Sequence, residues 1–359
     1  MTTVIKNARL EGGISDILIE NGKFLAVEQG LYADNVIDAY GKAVIPGLVD
    51  THIHGFGGYD VSDGRLCDIS LSLAKVGTTC WLPTTMTDCI ENLVAITNQK
   101  LPTEGAEIAG FHLEGPYISP KRKGAQNEAY IKAPDISEYK QLKNVIKITV
   151  APEIYGMCDF ISKVDCQVSI GHTDCSYEEA VVAIEAGANC LTHTFNAMPP
   201  LLHRAPGPIG AAVLKGIYAE VICDGRHVSE AAFLSLYKMF GPERLMLVSD
   251  TIRPAGLPNG KYVSGGLTVF MKDGALTLED GILAGGSQPL LQCVKKAVEF
   301  GVPFYDAVKM ATETPAKSLG LNKGQIRQGF DADLIILNDD FSVDKVIIAG
   351  KEIEVLGIS

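Results

Sequence analysis

Short apolar runs alternate with helical patterns along the middle of the chain, and this alternation constrains the fold more than any other feature. Such alternation is typical of βαβ units and a parallel sheet. A closed (β/α)8 barrel needs eight parallel strands, so the number of runs predicts that barrel. The runs are residues 43–49, 78–83, 108–113, 147–151, 167–170, 190–194, 218–223 and 245–248.

Candidate helices lie between these runs at residues 68–76, 176–186 and 229–240. Ser176 and Ser229 are favourable N-cap residues, since a serine hydroxyl accepts a hydrogen bond from an N–H of the first turn. Glu179 follows Ser176 by three residues, which is the spacing of a capping box.

Both ends of the chain are β-rich. Asn21-Gly22 lies between two apolar runs and is a strong signal for a two-residue hairpin turn. The segments 332–337 and 343–349 are β-branched runs separated by turn residues. We therefore expect an α/β protein in which residues 1–46 and 320–359 form a small β-sandwich domain and residues 47–319 form a TIM-like (β/α)8 barrel.

Composition excludes several classes of protein. The 359 residues carry a formal net charge of -12, and no lysine or arginine stripe is interleaved with aromatic residues, which disfavours nucleic-acid binding. The nine cysteines are widely spaced without a C-x-x-C pair, as expected for a reducing compartment. No apolar stretch of about 20 residues suggests a membrane span. We expect a cytoplasmic protein that binds neither membrane nor nucleic acid.

Reactive side chains follow almost every run, and catalytic groups of (β/α)8 barrels gather at the carboxyl ends of the strands. His52 and His54 are two residues apart on a strand, so they point to the same face. Alone, this pair is a weak signal. Glu114, His172 and His193 end other runs, so all five side chains converge on one barrel mouth. Imidazole and carboxylate ligands suit Zn or Fe, which predicts a metal site.

Asp250 ends the eighth run. It could cap a helix, or it could take a proton from a metal-activated water and return it to a leaving group. Asp174 could support a metal ligand from outside the ligand shell, although an N-cap or an Asx-turn is the simpler interpretation.

Arg204 and His227 are candidate substrate clamps, with a surface arginine as the simpler interpretation of Arg204. The basic run 121–123 is interpreted as a solvated loop. Residues 256–261 fall one residue short of a phosphate-binding loop and do not predict a nucleotide site.

Several motifs together resemble a known family. The segment PGLVDTHIHG, residues 46–55, resembles the metal-binding entry motif of the amidohydrolase superfamily. Further segments are similar to the N-acetylglucosamine-6-phosphate deacetylase family within it: HLEGPYISPKRKGAQN (112–127), GHTD (171–174), LTHTFNAMPPLLHRAPG (191–207), DGRHV (224–228), VSDTIRPAG (248–256) and LAGG (283–286). THTFNAM together with HLEGP is specific, whereas H-x-H or GHTD alone is not.

The resemblance implies a metal-dependent hydrolase that releases acetate from an N-acetyl amino sugar 6-phosphate. Glu114, His172 and His193 would hold the main ion, His52 and His54 a second one, and Asp250 would carry the proton. One or two ions, Zn or Fe, would be bound by each subunit of a homodimer, in which Arg204 would reach the neighbouring subunit. The implied substrate-binding residues are Ala125, Gln126, Asn196, Ala197, Arg204, His227, Leu283, Ala284 and Gly285.

Gln126 departs from the family pattern, because members often carry histidine at this position. A glutamine donates a hydrogen bond but cannot become a cation. N-acetylgalactosamine 6-phosphate therefore remains an alternative substrate. A cyclic-amide hydrolase is a second alternative, but those enzymes usually bridge two metals with a carboxylated lysine that ends the fourth strand, where this chain reads Ala151-Pro152-Glu153. A non-catalytic scaffold is a third, although it would not need to keep five ligands and Asp250 together.

Overall fold

A computed structural model describes residues 2–354. The N-terminal strands are antiparallel except where β1 pairs in parallel with β4 and β5. Asn21 and Gly22 both have positive φ, which confirms the predicted hairpin turn. The strands are β1 (Thr2–Leu10), β2 (Gly13–Glu20), β3 (Lys23–Glu28), β4 (Asn35–Asp38) and β5 (Ala43–Pro46).

A parallel barrel follows, and its strands pair in chain order from β6 to β16. Ile53, in the first barrel strand, forms a parallel bridge with Thr251, beyond the last one, and this bridge joins the two edges of the sheet. Within residues 2–354 the barrel strands are β6 (Leu48–Ile53), β9 (Thr78–Thr85), β11 (Phe111–Glu114), β12 (Val145–Val150), β13 (Gln167–Ile170), β14 (Cys190–Leu191), β15 (Tyr218–Val221) and β16 (Leu245–Leu247). The remaining short strands of this part are β7 (Gly55–Phe56), β8 (Tyr59–Asp60) and β10 (Glu107–Ile108).

The first predicted run, residues 43–49, is not one strand. The structure divides it at Gly47, so that β5 joins the terminal sheet and β6 begins the barrel. A Cβ atom at Gly47 would lie 2.1 Å from Thr79 Oγ1, so only glycine permits this close approach of the backbone to β9.

Helices surround the barrel. The predicted helices are confirmed within one or two residues at each end, as Leu66–Lys75, Tyr177–Ala186 and Glu230–Phe240. The helices are α1 (Leu66–Lys75), α2 (Ile90–Thr97), α3 (Ile136–Tyr139), α4 (Met157–Ile161), α5 (Tyr177–Ala186), α6 (Gly207–Lys215), α7 (Glu230–Phe240), α8 (Leu290–Glu299), α9 (Phe304–Met310) and α10 (Glu313–Ser318). No helix in this described part is long and apolar enough to cross a bilayer.

A three-stranded antiparallel sheet that was not predicted lies between the last barrel strand and α8. Its strands are β17 (Gly260–Ser264), β18 (Leu267–Lys272) and β19 (Ala275–Thr277). The turns between them are Gly265-Gly266 and Asp273-Gly274, all with positive φ. These two-residue turns between alternating runs were the overlooked signal.

The chain then returns to the N-terminal sheet through β20 (Leu334–Leu337), β21 (Val343–Ile348) and β22 (Lys351–Ile353). β20 pairs with β5, so both ends of the chain contribute to one β unit, as expected, and its described strands lie in one mixed sheet. These bounds support the division we propose, with 1–46 and 320–359 as one unit and 47–319 as the other. Residues 1 and 355–359 lie outside the described part.

Candidate active site

The five predicted metal ligands and the predicted catalytic Asp250 meet at the carboxyl end of the barrel, where catalytic groups of this fold gather. His52 lies in β6 and His54 follows that strand directly; Glu114 ends β11. His172, His193 and Asp250 follow β13, β14 and β16 within two or three residues. All six are buried.

Three of these residues hold an unusual backbone conformation. The φ angles of His172, His193 and Asp250 are 45°, 27° and 49°, in the left-handed region that non-glycine residues seldom adopt. Each such residue costs on the order of 1–3 kcal/mol unless its surroundings fix it. At Asp250 the backbone N–H donates to His52 O at 3.0 Å and the carbonyl accepts from Gly286 N at 2.7 Å. The fold therefore holds this strain at the residues that face the site.

Glu114 lies at the centre of the cluster. Its Oε1 is 3.0 Å from His193 Nε2 and 3.2 Å from both His52 Nε2 and His172 Nε2. Its Oε2 is 3.2 Å from His54 Nε2. One carboxylate thus reaches four imidazoles, three through Oε1 and one through Oε2.

Asp250 closes the cluster from the last barrel strand. Its Oδ1 lies 3.4 Å from His52 Nε2 and 3.4 Å from His54 Nε2. Two groups of side chains have ligand atoms close enough to hold an ion, namely His52 with Glu114 and His193, and His52 with His54 and Asp250. The helix-cap interpretation of Asp250 is wrong: Thr251 bridges to β6, and α8 begins only at Leu290.

The hydrogen bonds on the outer side of the imidazoles show that the site suits a cation. His54 Nδ1 lies 3.2 Å from Thr84 O and His172 Nδ1 lies 2.8 Å from Arg122 O. A carbonyl only accepts, so each Nδ1 carries the proton and a neutral ring turns its Nε2 lone pair inward. The Nε2 atoms of His172 and His193 are only 3.1 Å apart. Facing lone pairs repel unless a cation lies between them.

In the absence of a bound cation, the same carboxylates draw protons onto the imidazoles. Burial lowers the pKa of His54, but hydrogen bonds to Asp250 and Glu114 raise it to about 9. The pKa of His52 is likewise raised well above its usual value, against burial, by the charges of Glu114 and Asp250. The two carboxylates therefore create a potential that favours positive charge among the imidazoles.

Gln126, one of the implied substrate-binding residues, also contacts Glu114, and this contact was not predicted from the sequence. Its Nε2 donates to Glu114 Oε2 at 2.5 Å, and its Oε1 accepts from Thr87 N at 2.7 Å. The side chain therefore orients Glu114 and lines the cavity as well.

A cavity of about 390 Å³ opens onto the cluster. Eight of the nine implied substrate-binding residues line it: Ala125, Gln126, Asn196, Ala197, His227, Leu283, Ala284 and Gly285. Ala284 N donates to Leu276 O in β19, so the overlooked antiparallel sheet carries this wall of the cavity.

Arg204 is the ninth, and it lies outside the cavity. Its side chain is exposed, and its guanidinium contacts His203 Nε2 at 2.7 Å. His227 does line the cavity, and its Nδ1 lies 2.8 Å from Asp224 Oδ2. Burial lowers the pKa of His227, but the hydrogen bond and charge of Asp224, together with the charge of Asp250, raise it above its usual value.

The basic loop and Asp174 lie beside the cavity. The loop is solvated as expected, with the Lys121 side chain 78% exposed, but Lys121 and Arg122 also line the cavity rim and pair with Asp174 at 3.3 and 2.9 Å. Asp174 is not an N-cap, since Ser176 accepts from Glu179 N at the start of α5. Asp174 binds this basic loop instead.

A buried ion pair beneath the cluster was also missed. Lys147 in β12 and Glu220 in β15 are both fully buried, and Lys147 Nζ donates to Glu220 Oε1. Burial raises the pKa of Glu220, but the charge of Lys147 and the contact with His52 lower it to about 2. Each residue is inward-facing on a strand that reads as apolar, so only the three-dimensional pairing reveals them.

Known proteins resemble this chain over nearly its whole length. A model of the Amidohydrolase family matches residues 43–353. The N-acetylglucosamine-6-phosphate deacetylase of Vibrio furnissii is 34% identical over 354 residues, covering 92% of this chain and 88% of the relative. The N-acetylgalactosamine-6-phosphate deacetylase of Escherichia coli O157:H7 is 32% identical, covering 98% of this chain and 99% of the relative.

A solved structure extends the likeness to three dimensions. A variant of N-acetyl-D-glucosamine-6-phosphate deacetylase from Mycobacterium smegmatis, in complex with N-acetyl-D-glucosamine-6-phosphate, has a TM-score of 0.89 at 29% identity. The match covers 98% of this chain and 99% of that one.

Proposed function

The chain belongs to the amidohydrolase family, and from this we propose that it hydrolyses the acetamide of N-acetyl-D-glucosamine 6-phosphate to glucosamine 6-phosphate and acetate. The observation that carries the proposal is the convergence of four imidazoles on Glu114 beside Asp250, at the end of a cavity that holds the implied sugar-binding residues.

Glu114, His172 and His193 would hold the main divalent ion, and His52 with His54 a second. When bound, such an ion lowers the pKa of its water and polarises a carbonyl oxygen. Imidazole and carboxylate ligands accept both Zn and Fe. We propose one or two such ions per subunit, and metal analysis of protein purified without oxygen measures both identity and number.

Asp250 would move the proton. Burial raises its pKa, but the charge of His52 and the contact with His54 outweigh this and lower it, so the carboxylate is ionised. It takes a proton from the attacking water as the new C–O bond forms. It then delivers this proton to the amide nitrogen as the C–N bond breaks, because an amine anion is a poor leaving group.

The 6-phosphate would bind at the rim formed by Asn196, Ala197 and His227. Phe195 and Ala197, on either side of Asn196, have φ angles of 79° and 51°, so this loop holds two residues in the left-handed region beside the cavity. His227 adds a group whose raised pKa favours the cation. This local anchor offsets the net charge of -12.

Arg204 does not line the cavity of its own subunit. In a homodimer it would complete the phosphate site of the neighbouring subunit. A cytoplasmic location is part of the proposal, and the nine free cysteines suit a reducing compartment.

The alternatives fit less well. The lysine of the fourth barrel strand, Lys147, is paired with Glu220 inside the barrel, so no lysine ends β12 to bridge two metals as in cyclic-amide hydrolases. The galacto epimer is the substrate named for the Escherichia coli relative. The gluco epimer is named for the Vibrio relative and is bound in the Mycobacterium complex.

Acetate release tests the proposal. Metal-replete protein is assayed with N-acetylglucosamine 6-phosphate, N-acetylgalactosamine 6-phosphate and unphosphorylated N-acetylglucosamine. We expect the highest kcat/KM with the gluco phosphate and a much lower one without the phosphate. If neither phosphorylated epimer is turned over, the proposed function is wrong.

A further inference from the structure

The barrel interior beneath the imidazole cluster carries a charged pair. Lys147 and Glu220 are 0% exposed, and their strands, β12 and β15, are separated by β13 and β14. The two side chains therefore meet across the barrel interior. Such interiors are usually filled by valine, isoleucine and leucine.

Stability does not explain the pair. Desolvating two charges costs several kcal/mol per ion, and apolar residues of similar volume are often at least as stabilising. The contacts of Glu220 suggest another role. Its Oε1 accepts from Lys147 Nζ and from Thr51 Oγ1 at 2.6 Å, while its Oε2 lies 3.3 Å from His52 Nδ1.

His52 differs from its neighbours in this outer contact. His54 and His172 place Nδ1 against the neutral carbonyls of Thr84 and Arg122, whereas His52 faces an ionised carboxylate. A carboxylate behind an imidazole fixes its tautomer and makes it a more basic ligand. His52 also belongs to both groups of side chains that could hold an ion.

We propose that Glu220 and Lys147 are positioning residues for His52. Glu220 Oε2 accepts a hydrogen bond from His52 Nδ1–H, which leaves the lone pair of Nε2 for a metal, and Lys147 fixes the orientation of the Glu220 side chain by binding its Oε1. The inference rests on the metal site of the proposed function. It does not depend on the identity of the substrate.

Glu220→Gln separates this role from a structural one. Lys147 and Thr51 donate to one end of the side chain, so the amide oxygen must stay there and the NH2 group must face His52 Nδ1. That arrangement makes His52 Nδ1 the acceptor, so the imidazole proton moves to Nε2, where it occupies the lone pair that would bind a metal. In the double variant Lys147→Met/Glu220→Gln, the amide is free to turn its oxygen toward His52, so the original tautomer returns.

The experiment is a titration of chelator-treated protein with Co²⁺, followed by its visible absorption, with no substrate present. We expect Glu220→Gln to weaken cobalt binding roughly 10–100-fold, and the double variant to regain most of the loss. Ser169→Ala is the matched control, because it removes a hydrogen bond to Thr192 in the same interior without touching His52. It should bind cobalt like the wild type.

Circular dichroism verifies that each variant is folded, and ¹⁵N NMR of the His52 ring reads the tautomer directly. Wild-type affinity in folded Glu220→Gln would overturn the proposal. A double variant that binds no better than Glu220→Gln would also overturn it, because Lys147 would then have no part. If the cobalt affinities follow the expected order but no acetate is released, only the proposed function is rejected. If the wild-type protein binds no cobalt, the metal site is rejected, and with it both the proposed function and this inference.

Discussion

Asp250 combines a strained backbone, with φ at 49°, and a carboxylate that faces His52 and His54 at 3.4 Å. Asn at this position keeps the size and shape but cannot accept and return a proton. We expect Asp250→Asn to lower kcat by roughly 10²–10⁴-fold, the contribution of a positioned acid–base group. Metal content, measured by elemental analysis, should stay near that of the wild type.

Asp174→Asn is the control for this variant. Asp174 lies near the same cavity, but its carboxylate pairs with Lys121 and Arg122 and does not face the imidazoles. It should affect KM more than kcat. Normal turnover by Asp250→Asn would remove Asp250 from the mechanism.

His227 gives the site a pH dependence. Burial lowers its pKa, yet the hydrogen bond to Asp224 raises it above the usual value. The cation is therefore present below the raised pKa and is lost as pH rises through it, so affinity for the anionic phosphate should fall over that range. We expect KM for the phosphorylated sugar to increase on the alkaline side.

Asp224→Asn tests the cause of this dependence. Without the carboxylate, the pKa of His227 falls, so the increase in KM should begin at lower pH. The measurement is KM against pH for both proteins. If KM begins to increase at the same pH in both proteins, a group other than His227 controls phosphate binding.

The candidate site was predictable from sequence only where its residues end strands. His52, His54, Glu114, His172, His193 and Asp250 each follow an apolar run, and a barrel brings such positions together. Glu220 and Lys147 lie inside strands, 73 residues apart, so their pairing depends on the barrel's curvature. The contact of Gln126 with Glu114 depends on a loop conformation that no periodicity encodes.

At the scale of elements, two helices offer a direct comparison of capping. Ser176 Oγ accepts from Glu179 N at 3.1 Å and Glu179 reaches back to Ser176 N, so α5 has a complete capping box. Ser229 occupies the same position before α7 but makes no side-chain cap hydrogen bond. The prediction of Ser176 and Ser229 as N-cap residues is thus confirmed for both helices, whereas the capping hydrogen bond forms only at Ser176.

This difference predicts the stability of two variants. Ser176→Ala should destabilise the protein by about 1 kcal/mol, the usual cost of losing an N-cap hydrogen bond. Ser229→Ala should cost much less, and it serves as the matched control because both serines are exposed. Urea unfolding midpoints measure both. Equal shifts would mean that the two caps contribute alike.

The predicted elements are wrong where one apolar run contributes strands to two different sheets. Residues 43–49 were predicted to form one barrel strand, but the chain leaves the terminal sheet at Pro46 and enters the barrel at Leu48. The antiparallel sheet β17–β19 was missed because its runs are short and partly exposed. It matters for function, since it supports the cavity wall at Ala284.

At the scale of the whole molecule, the proposed dimer makes a testable claim about Arg204, which lies outside its own cavity. If Arg204 serves the neighbouring subunit, Arg204→Ala and Asp250→Asn should complement each other. In a mixed dimer the Arg204→Ala subunit keeps its own Asp250 and receives arginine from its partner. One working site per mixed dimer should therefore form.

Co-expression of the two variants with different affinity tags isolates the mixed dimer. Activity at low substrate concentration should exceed that of either variant alone. No recovery in a purified mixed dimer would show that Arg204 acts within its own subunit or not at all. A monomer in solution would reject the arrangement directly.

The central claim is that the barrel mouth holds an N-acetyl amino sugar phosphate with its acetamide at the imidazole cluster and its phosphate at the rim. A crystal structure of Asp250→Asn soaked with N-acetylglucosamine 6-phosphate tests this most directly. We expect the acetamide carbonyl beside Glu114, His172 and His193, and the phosphate at Asn196, Ala197 and His227. A sugar bound in the reverse direction, with its phosphate at the imidazoles, would contradict the account.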